Sequence, residues 1–182
     1  VEKKRAGKTS RRAEILAATE KLIRSRGLSG VTTREIAEAA GCSEGALYVH
    51  FKGRVDLLLA VLEESLPDML KPLDSLQQAI GRATPQRNLE AALRGVFSFH
   101  RRVTPMLASL FAEPELLTAY RKSLTRAGKG PHRATGRLAG YILAEQSLGR
   151  IDPAVDAKVA ATLLMSASFF RAFADRFFGQ SK

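Results

Sequence analysis

The chain has 182 residues, with 29 Lys and Arg against 18 Asp and Glu, for a formal net charge of +11. Hydrophobic residues make up 45% and there is one Cys, so a sizeable core is available while a disulfide framework and a Cys-based zinc cluster are excluded. The longest uncharged apolar stretch near the C-terminus, Val159–Phe170, has 12 residues, short of the roughly 18–20 that a membrane span needs.

The basic start, Lys3, Lys4, Arg5 and Lys8, leads into an amphipathic segment rather than the apolar core of a secretory signal. No membrane partner and a cytoplasmic location are therefore expected. A sequence pI near 10.3 asks for a polyanion. Residues 1–54 carry 12 Lys and Arg against 6 Asp and Glu, the denser part of the charge.

In chain order, Ile15, Leu16, Thr19, Leu22 and Ile23 form one helical stripe from Ser10, which Gly27 ends. Thr32 with Glu35 three residues later is a capping box, and Ile36, Ala37 and Ala40 make the buried face of the short helix it opens. Gly41 stops that helix. Ser43 can cap the next, which points Leu47 and Phe51 inward. Val55, Leu58, Leu59, Leu62 and Leu66 begin a longer helix that Pro67 and Pro72 should kink or interrupt. Three helices with a tight turn, Ala40-Gly41-Cys42-Ser43, make a helix-turn-helix. Cys42 is expected to pack inward as a small hydrophobe.

The string from Gly30 to Lys52, followed by Asp56-Leu57, resembles the DNA-binding domain of the TetR (tetracycline-repressor) family of bacterial transcription regulators. Cap, turn, aromatic pair and basic residue all fall at that family's spacing. Ala46, Cys42 and Gly53-Arg54 depart from its usual residues, which touches base preference rather than fold. The resemblance implies that Ser43 to His50 is a recognition helix laid in the major groove. Gly45 and Ala46 would let the backbone approach DNA, with Ala46 able to touch a thymine methyl. Glu44 would accept from a cytosine amino group or stay a solvated carboxylate. Tyr48 and Lys52 would reach phosphates, and Thr33 would hold one at its helix start. Arg34 would read guanine, while His50 would support the helix end or a phosphate. Arg54 would meet a phosphate near the next helix start. The tail over residues 1–8 would track the backbone as a flexible arm or remain solvated.

Further helices are predicted over Leu89–Val103, Pro105–Ala112, Pro114–Thr125, Arg133–Leu148 and Pro153–Phe178. Asp152 and Pro153 supply a cap and a first helical residue for the last. Its apolar surface is wide enough to be buried on two sides. Gly136, Gly140 and Ala144 give the helix before it a face of small residues. These two helices, about 133–148 and 153–178, look like the pair that forms the dimer bundle in TetR-like proteins, with an ordinary intrachain core as the other reading.

By analogy a small-molecule effector would bind between the helix after Arg54 and the middle helices. Phe97, Phe99, His100, Met106, Leu110, Phe111, Tyr120, Met165 and Phe169 are its candidate walls, although aromatic and Met residues at helical spacing are more often core than pocket. Arg121, Lys122, Arg126, Lys129, Arg133 and Arg137 form a solvated basic face or loop, or else a site for an anionic effector or a second DNA contact.

The expected fold is all-α: a helix-turn-helix domain over 1–54, and a helical effector-binding and dimerisation domain over 55–182. The expected function is a homodimeric regulator of a palindromic duplex operator, a repressor released by an unknown ligand. A DNA-binding module without sequence choice is the alternative, and an enzyme on a helical fold is a more remote one. No cofactor, metal site or catalytic residue is expected: there is no phosphate-binding glycine loop, nucleophile elbow or His-x-x-x-His pair.

Overall fold

A computed structural model describes residues 2–27 and 31–179, with side chains from Arg11 onward except those of 65–68. The side chains of Lys3, Lys4, Arg5, Lys8, Leu66 and Pro67 lie outside the described residues. Among the described residues eight helices occur: α1 Glu2–Arg26, α2 Thr33–Ala39, α3 Glu44–His50, α4 Arg54–Gln78, α5 Pro85–Leu110, α6 Pro114–Arg126, α7 Pro131–Ser147 and α8 Ala157–Phe177. They group into two compact units, residues 1–64 with 105–123, and residues 65–104 with 124–182. The division thus falls inside α4, α5 and α6, and the first unit recruits a segment distant in sequence.

In the first unit α1 packs on α2 and α2 on α3. Ile15 and Ile23 of α1, Ile36 of α2, Leu47 of α3 and Leu57 of α4 are all fully buried. Burial of one such side chain contributes about 1.5–3 kcal/mol, so this small cluster suffices to hold α2 and α3, two short helices that would not form alone. α1 begins at Glu2, eight residues before the expected Ser10. Residues 2–8 are therefore helical backbone rather than the flexible arm expected from the sequence.

α4 and α5 run as continuous helices where breaks were expected. α4 passes Pro67 and Pro72, and α5 passes Pro105, merging two expected helices. Pro72 is accommodated by Gly95 of α5: a Cβ built there would stand only 2.5 Å from Pro72 Cγ. Removing that one carbon makes room for the ring, and packing recovers what the lost N–H costs. At Pro105, the preceding Thr104 hydroxyl donates to the His100 carbonyl at 2.6 Å.

α7 and α8 pack along each other. The start of α8 differs from expectation. Asp152 and Pro153 form a turn in which Asp152 Oδ1 accepts from the Ala154 N–H at 2.8 Å. The cap is Asp156, whose Oδ1 accepts from both Lys158 and Val159 N–H at 2.9 Å. Gln146 ties the turn back to α7 by donating to the carbonyls of Asp152 and Val155, each at 2.8 Å.

α8 has two opposed stripes. Ala157, Ala161, Met165 and Ala172 are buried, while Val159, Leu163, Phe170, Phe173 and Phe177 are exposed. The exposed positions, with Ser166 between, alternate by four and three residues, the spacing of a coiled-coil seam. At 21 residues α8 is also apolar and long enough to cross a bilayer by length and composition, which the 12-residue uncharged stretch does not anticipate.

A buried polar cluster closes one end of this unit. Glu145 has zero exposure. Its Oε1 accepts from the Gly81 N–H at 3.1 Å, and Arg150 Nε lies 3.2 Å from its Oε2. Arg150 also donates to the Arg82 carbonyl at 3.2 Å and to that of Ala83. Asn88 Nδ2 bridges the Arg82 carbonyl at 2.8 Å and the Tyr141 hydroxyl at 3.0 Å. Burial, with Glu145 adding to it, pushes the Tyr141 phenol above its ordinary range.

Candidate DNA-reading surface

The helix-turn-helix is built from local chemistry. Thr32 Oγ1 accepts from the Glu35 N–H at 3.2 Å, and Glu35 Oε2 accepts from the Thr32 N–H at 2.9 Å, closing the capping box. The Thr32 N–H and the Thr32 hydroxyl, the latter at 3.0 Å, both donate to Glu35 Oε2 and, with Arg26 beside them, hold the Glu35 carboxyl below its usual range. α2 ends in a Schellman turn: the Gly41 N–H donates to the Glu38 carbonyl at 3.0 Å and the Cys42 N–H to that of Ala37 at 2.9 Å. Gly41 has φ of +63°, a conformation that disfavours other residues. Ser43 Oγ then caps α3 by accepting from the Ala46 N–H at 3.2 Å. Cys42 is half-buried rather than enclosed, so the expectation of a core position holds only in part.

With Leu47 buried, the opposite side of α3 faces outward. Gly45, Tyr48 and Val49 share it, and Tyr48 and Val49 are 51% and 66% exposed. A Cβ on Gly45 would meet nothing nearer than Ser43 Oγ at 3.9 Å, so the position keeps open space beside the backbone. Sequence reasoning passed over Val49. Its signal was an apolar residue lying off the Leu47–Phe51 stripe of a short helix. Ala46 and His50 are half-buried at the flanks of this face, while Arg34, Ser43, Glu44 and Lys52 are exposed. The Lys52 N–H donates to Asp56 Oδ2 at 3.0 Å, fixing the turn into α4 and leaving the ammonium outside.

Besides Ser43, three of the candidate residues are already engaged: Thr33, Glu44 and Arg54. The Thr33 hydroxyl donates to Glu44 Oε1 at 2.5 Å, joining the starts of α2 and α3. Arg54 is a larger departure. Its guanidinium spans both oxygens of Glu113 at 2.7 Å each, and its Nε donates to the Val31 carbonyl at 3.3 Å. The Glu113 hydrogen bonds raise the Arg54 pKa and lower that of Glu113. Both terminal nitrogens are thus turned to Glu113 rather than to the expected phosphate.

The candidate effector walls are divided. Phe97, Phe99, His100, Met165 and Phe169 lie in the unit 65–104 with 124–182, and Met106, Leu110, Phe111 and Tyr120 in the other. His100 is buried, with Nδ1 3.0 Å from Ser168 Oγ and its ring edge-on to Phe169 at 5.6 Å. Burial lowers its pKa to about 4. Phe97 lies between the guanidinium groups of Arg101 and Arg171, at 6.0 and 5.8 Å. Met106 is buried core, and Tyr120 is half-buried with its phenol pushed up by burial and by Glu63. Phe111 is 76% exposed on the α5–α6 turn.

The basic stretch is also divided. Arg137 pairs with Asp74. Lys129 and Arg133, with Lys71, Met69 and Leu70, edge a groove of about 400 Å³. A second groove of about 720 Å³ runs past Gly136, Ala139 and Leu143 to the turn before α8. Among the described residues no group of three or more His, Cys, Asp or Glu could hold a metal ion.

Residues 15–61 match the model of the bacterial regulatory proteins of the tetR family. The chain is 32% identical over 96 residues to the HTH-type transcriptional activator FasR of Mycolicibacterium smegmatis, a match covering 52% of this chain and 42% of FasR. It is 39% identical over 64 residues to the transcriptional repressor KstR2 of Rhodococcus jostii, covering 35% of this chain and 31% of KstR2. It thus spans less than half the length of these curated relatives. Among solved structures, the SmeT–triclosan complex superimposes with a TM-score of 0.69 at 24% identity, over 94% of this chain and 82% of SmeT. The helix-turn-helix segment of the chain is thus similar to that of the bacterial regulatory proteins of the tetR family.

Proposed function

We propose that the protein is a homodimeric, sequence-specific DNA-binding regulator that represses a gene and releases its operator when a small molecule binds. The observation that carries this reading is the outward face of α3. A capped helix presents Gly45, Tyr48 and Val49, backed by Leu47 in the core, which is what entry into a major groove requires. Exposed Arg34 and Lys52 flank it, suited to a guanine edge and a phosphate. Ser43, Glu44, Ala46 and His50 complete the reading surface, and Thr33 serves it by holding Glu44. The protein acts as a binder rather than a catalyst, in the cytoplasm.

Dimerisation would use α7 and α8. The exposed seam of Val159, Leu163, Phe170, Phe173 and Phe177 is too large an apolar surface to leave in water. Beside Gly136 and Gly140 no atom lies within 4 Å of an added Cβ, so a partner helix can approach α7 closely. A twofold dimer presents two α3 helices to two half-sites. The solved complex of SmeT with triclosan supports a small-molecule ligand for a chain of this fold. His100 and Ser168, with Phe97, Met165 and Phe169, are the polar and apolar groups proposed to meet one here.

Selecting genomic fragments with the purified protein at about 150 mM salt, where non-specific binding is weak, tests the reading. Enrichment of a shared palindrome supports it. Uniform, salt-sensitive retention of all fragments refutes sequence-specific reading and leaves a general DNA-binding module.

A further inference from the structure

Arg54 opens α4, and Glu113 sits 59 residues later in the turn between α5 and α6, yet the two meet through both guanidinium and carboxylate edges. Their side chains are 31% and 22% exposed, so solvent screens the pair only in part. Glu113 is firmly held. Its N–H donates to the Leu110 carbonyl at 3.1 Å, its carbonyl accepts from Leu117 at 2.9 Å, and Pro114 follows it. Arg54 reaches the other way, to the Val31 carbonyl, one residue before the cap of α2. Val31 is itself buried. A second tether, from the Ser123 hydroxyl to Glu63 Oε1, fixes the far end of the segment 105–123 to α4. A shift of the α5–α6 turn must therefore break a bidentate charged pair or carry Arg54, and with it the entry to α2.

We propose that Glu113 is a positioning residue for DNA reading: acting through Arg54, it sets the backbone at Val31 and so the placement of α2 and α3. Operator affinity then depends on where the α5–α6 turn stands. This rests on the DNA-binding function proposed above. Electrostatics alone predicts the opposite sign for Glu113, because removing a carboxylate from a DNA-binding unit lessens repulsion of phosphate.

The test uses the full chain with Glu113→Gln, Arg54→Gln, their combination, and the reversed pair Arg54→Glu with Glu113→Arg. The probe is the duplex recovered by fragment selection, titrated across a range of salt concentrations. Each single variant should weaken binding by about tenfold and to a similar extent, and the combination no further, as for two residues acting as one unit. The salt slope should be unchanged, and the reversed pair should recover most of the affinity. Amide exchange in the free protein gives a readout without DNA: residues 33–37 should exchange faster in Glu113→Gln and return toward the parent in the reversed pair. If Arg54→Gln alone weakens binding and lowers the salt slope by about one, while Glu113→Gln binds as well or better, Arg54 is a phosphate contact and the proposal fails. It fails equally if exchange at 33–37 is unaltered, or if exchange rises with no loss of affinity. If selection yields no duplex, the DNA-reading function falls while exchange still decides whether the tie exists.

Discussion

Removing the Glu145 carboxylate should destabilise the protein more than any surface substitution. Glu145 has no exposure, accepts from the Gly81 N–H and stands 3.2 Å from Arg150 Nε. Glu145→Ala leaves the Gly81 N–H without its acceptor, and because Gly81 is exposed this costs less than the roughly 1–3 kcal/mol of a fully buried donor. It also strips Arg150 of its countercharge. Breaking a buried pair from one side costs about 3–5 kcal/mol in all. Arg150 softens this, since its side chain is 25% exposed and it keeps the Arg82 and Ala83 carbonyls. About 3 kcal/mol is therefore expected, toward the low end. Arg150→Ala should cost less, and the double variant should fall short of the sum by about 1–2 kcal/mol, as for residues in contact. Urea unfolding followed by circular dichroism measures all three, with the midpoint read at constant slope. A Glu145→Ala loss below about 1 kcal/mol, or strict additivity, would refute the network as described.

Four further outcomes are expected. Gly95→Ala should destabilise by about 1–2 kcal/mol, because overpacking against the Pro72 ring outweighs the helix propensity gained; a stabilised variant in thermal melts would contradict the close approach. His100, with a folded pKa of about 4 against an ordinary 6.5, is protonated more readily in the unfolded chain. Stability should therefore fall as pH drops from 6.5 toward 4, by about 2 kcal/mol once partial screening is allowed for. His100→Gln should remove that component of the pH profile, and an unchanged profile would sink the assignment. Arg34→Ala should cost about 1–3 kcal/mol of operator binding and relax one base pair, whereas Lys52→Ala should weaken all sequences alike and lower the salt slope by about one; binding titrations on matched and mismatched duplexes separate the two. Leu163→Glu together with Phe170→Glu should convert a dimer to monomers in sedimentation without loss of helix, since both side chains are exposed in the isolated chain; a persistent dimer would move the interface elsewhere.

The helix-turn-helix was legible because its determinants are local. Thr32 and Glu35 lie three residues apart, Gly41 and Ser43 punctuate the turn, and Leu47 and Phe51 lie four apart. The rest depended on partners far along the chain. Pro72 reads as a break until Gly95 is seen beneath its ring. Asp152 with Pro153 is a strong start signal, and only the folded turn shows that Asp156 takes the cap. Arg54 fits a phosphate contact by position, but Glu113, 59 residues away, claims its guanidinium. Glu145 carried no pattern at all, since its partner Gly81 lies 64 residues back in the chain. The aromatic and Met positions could not be sorted into core and cavity by spacing, because both environments select the same residues at the same period.

The most direct measurement is a footprint of the purified protein on the duplex it selects, with the number of chains per duplex determined in the same samples. Two symmetric protected half-sites about one helical turn apart, roughly 34–36 Å, occupied by two chains, are what a twofold pair of α3 helices must give. A single unsymmetric patch, or protection that spreads without boundary as protein is added, would contradict sequence-specific dimeric reading.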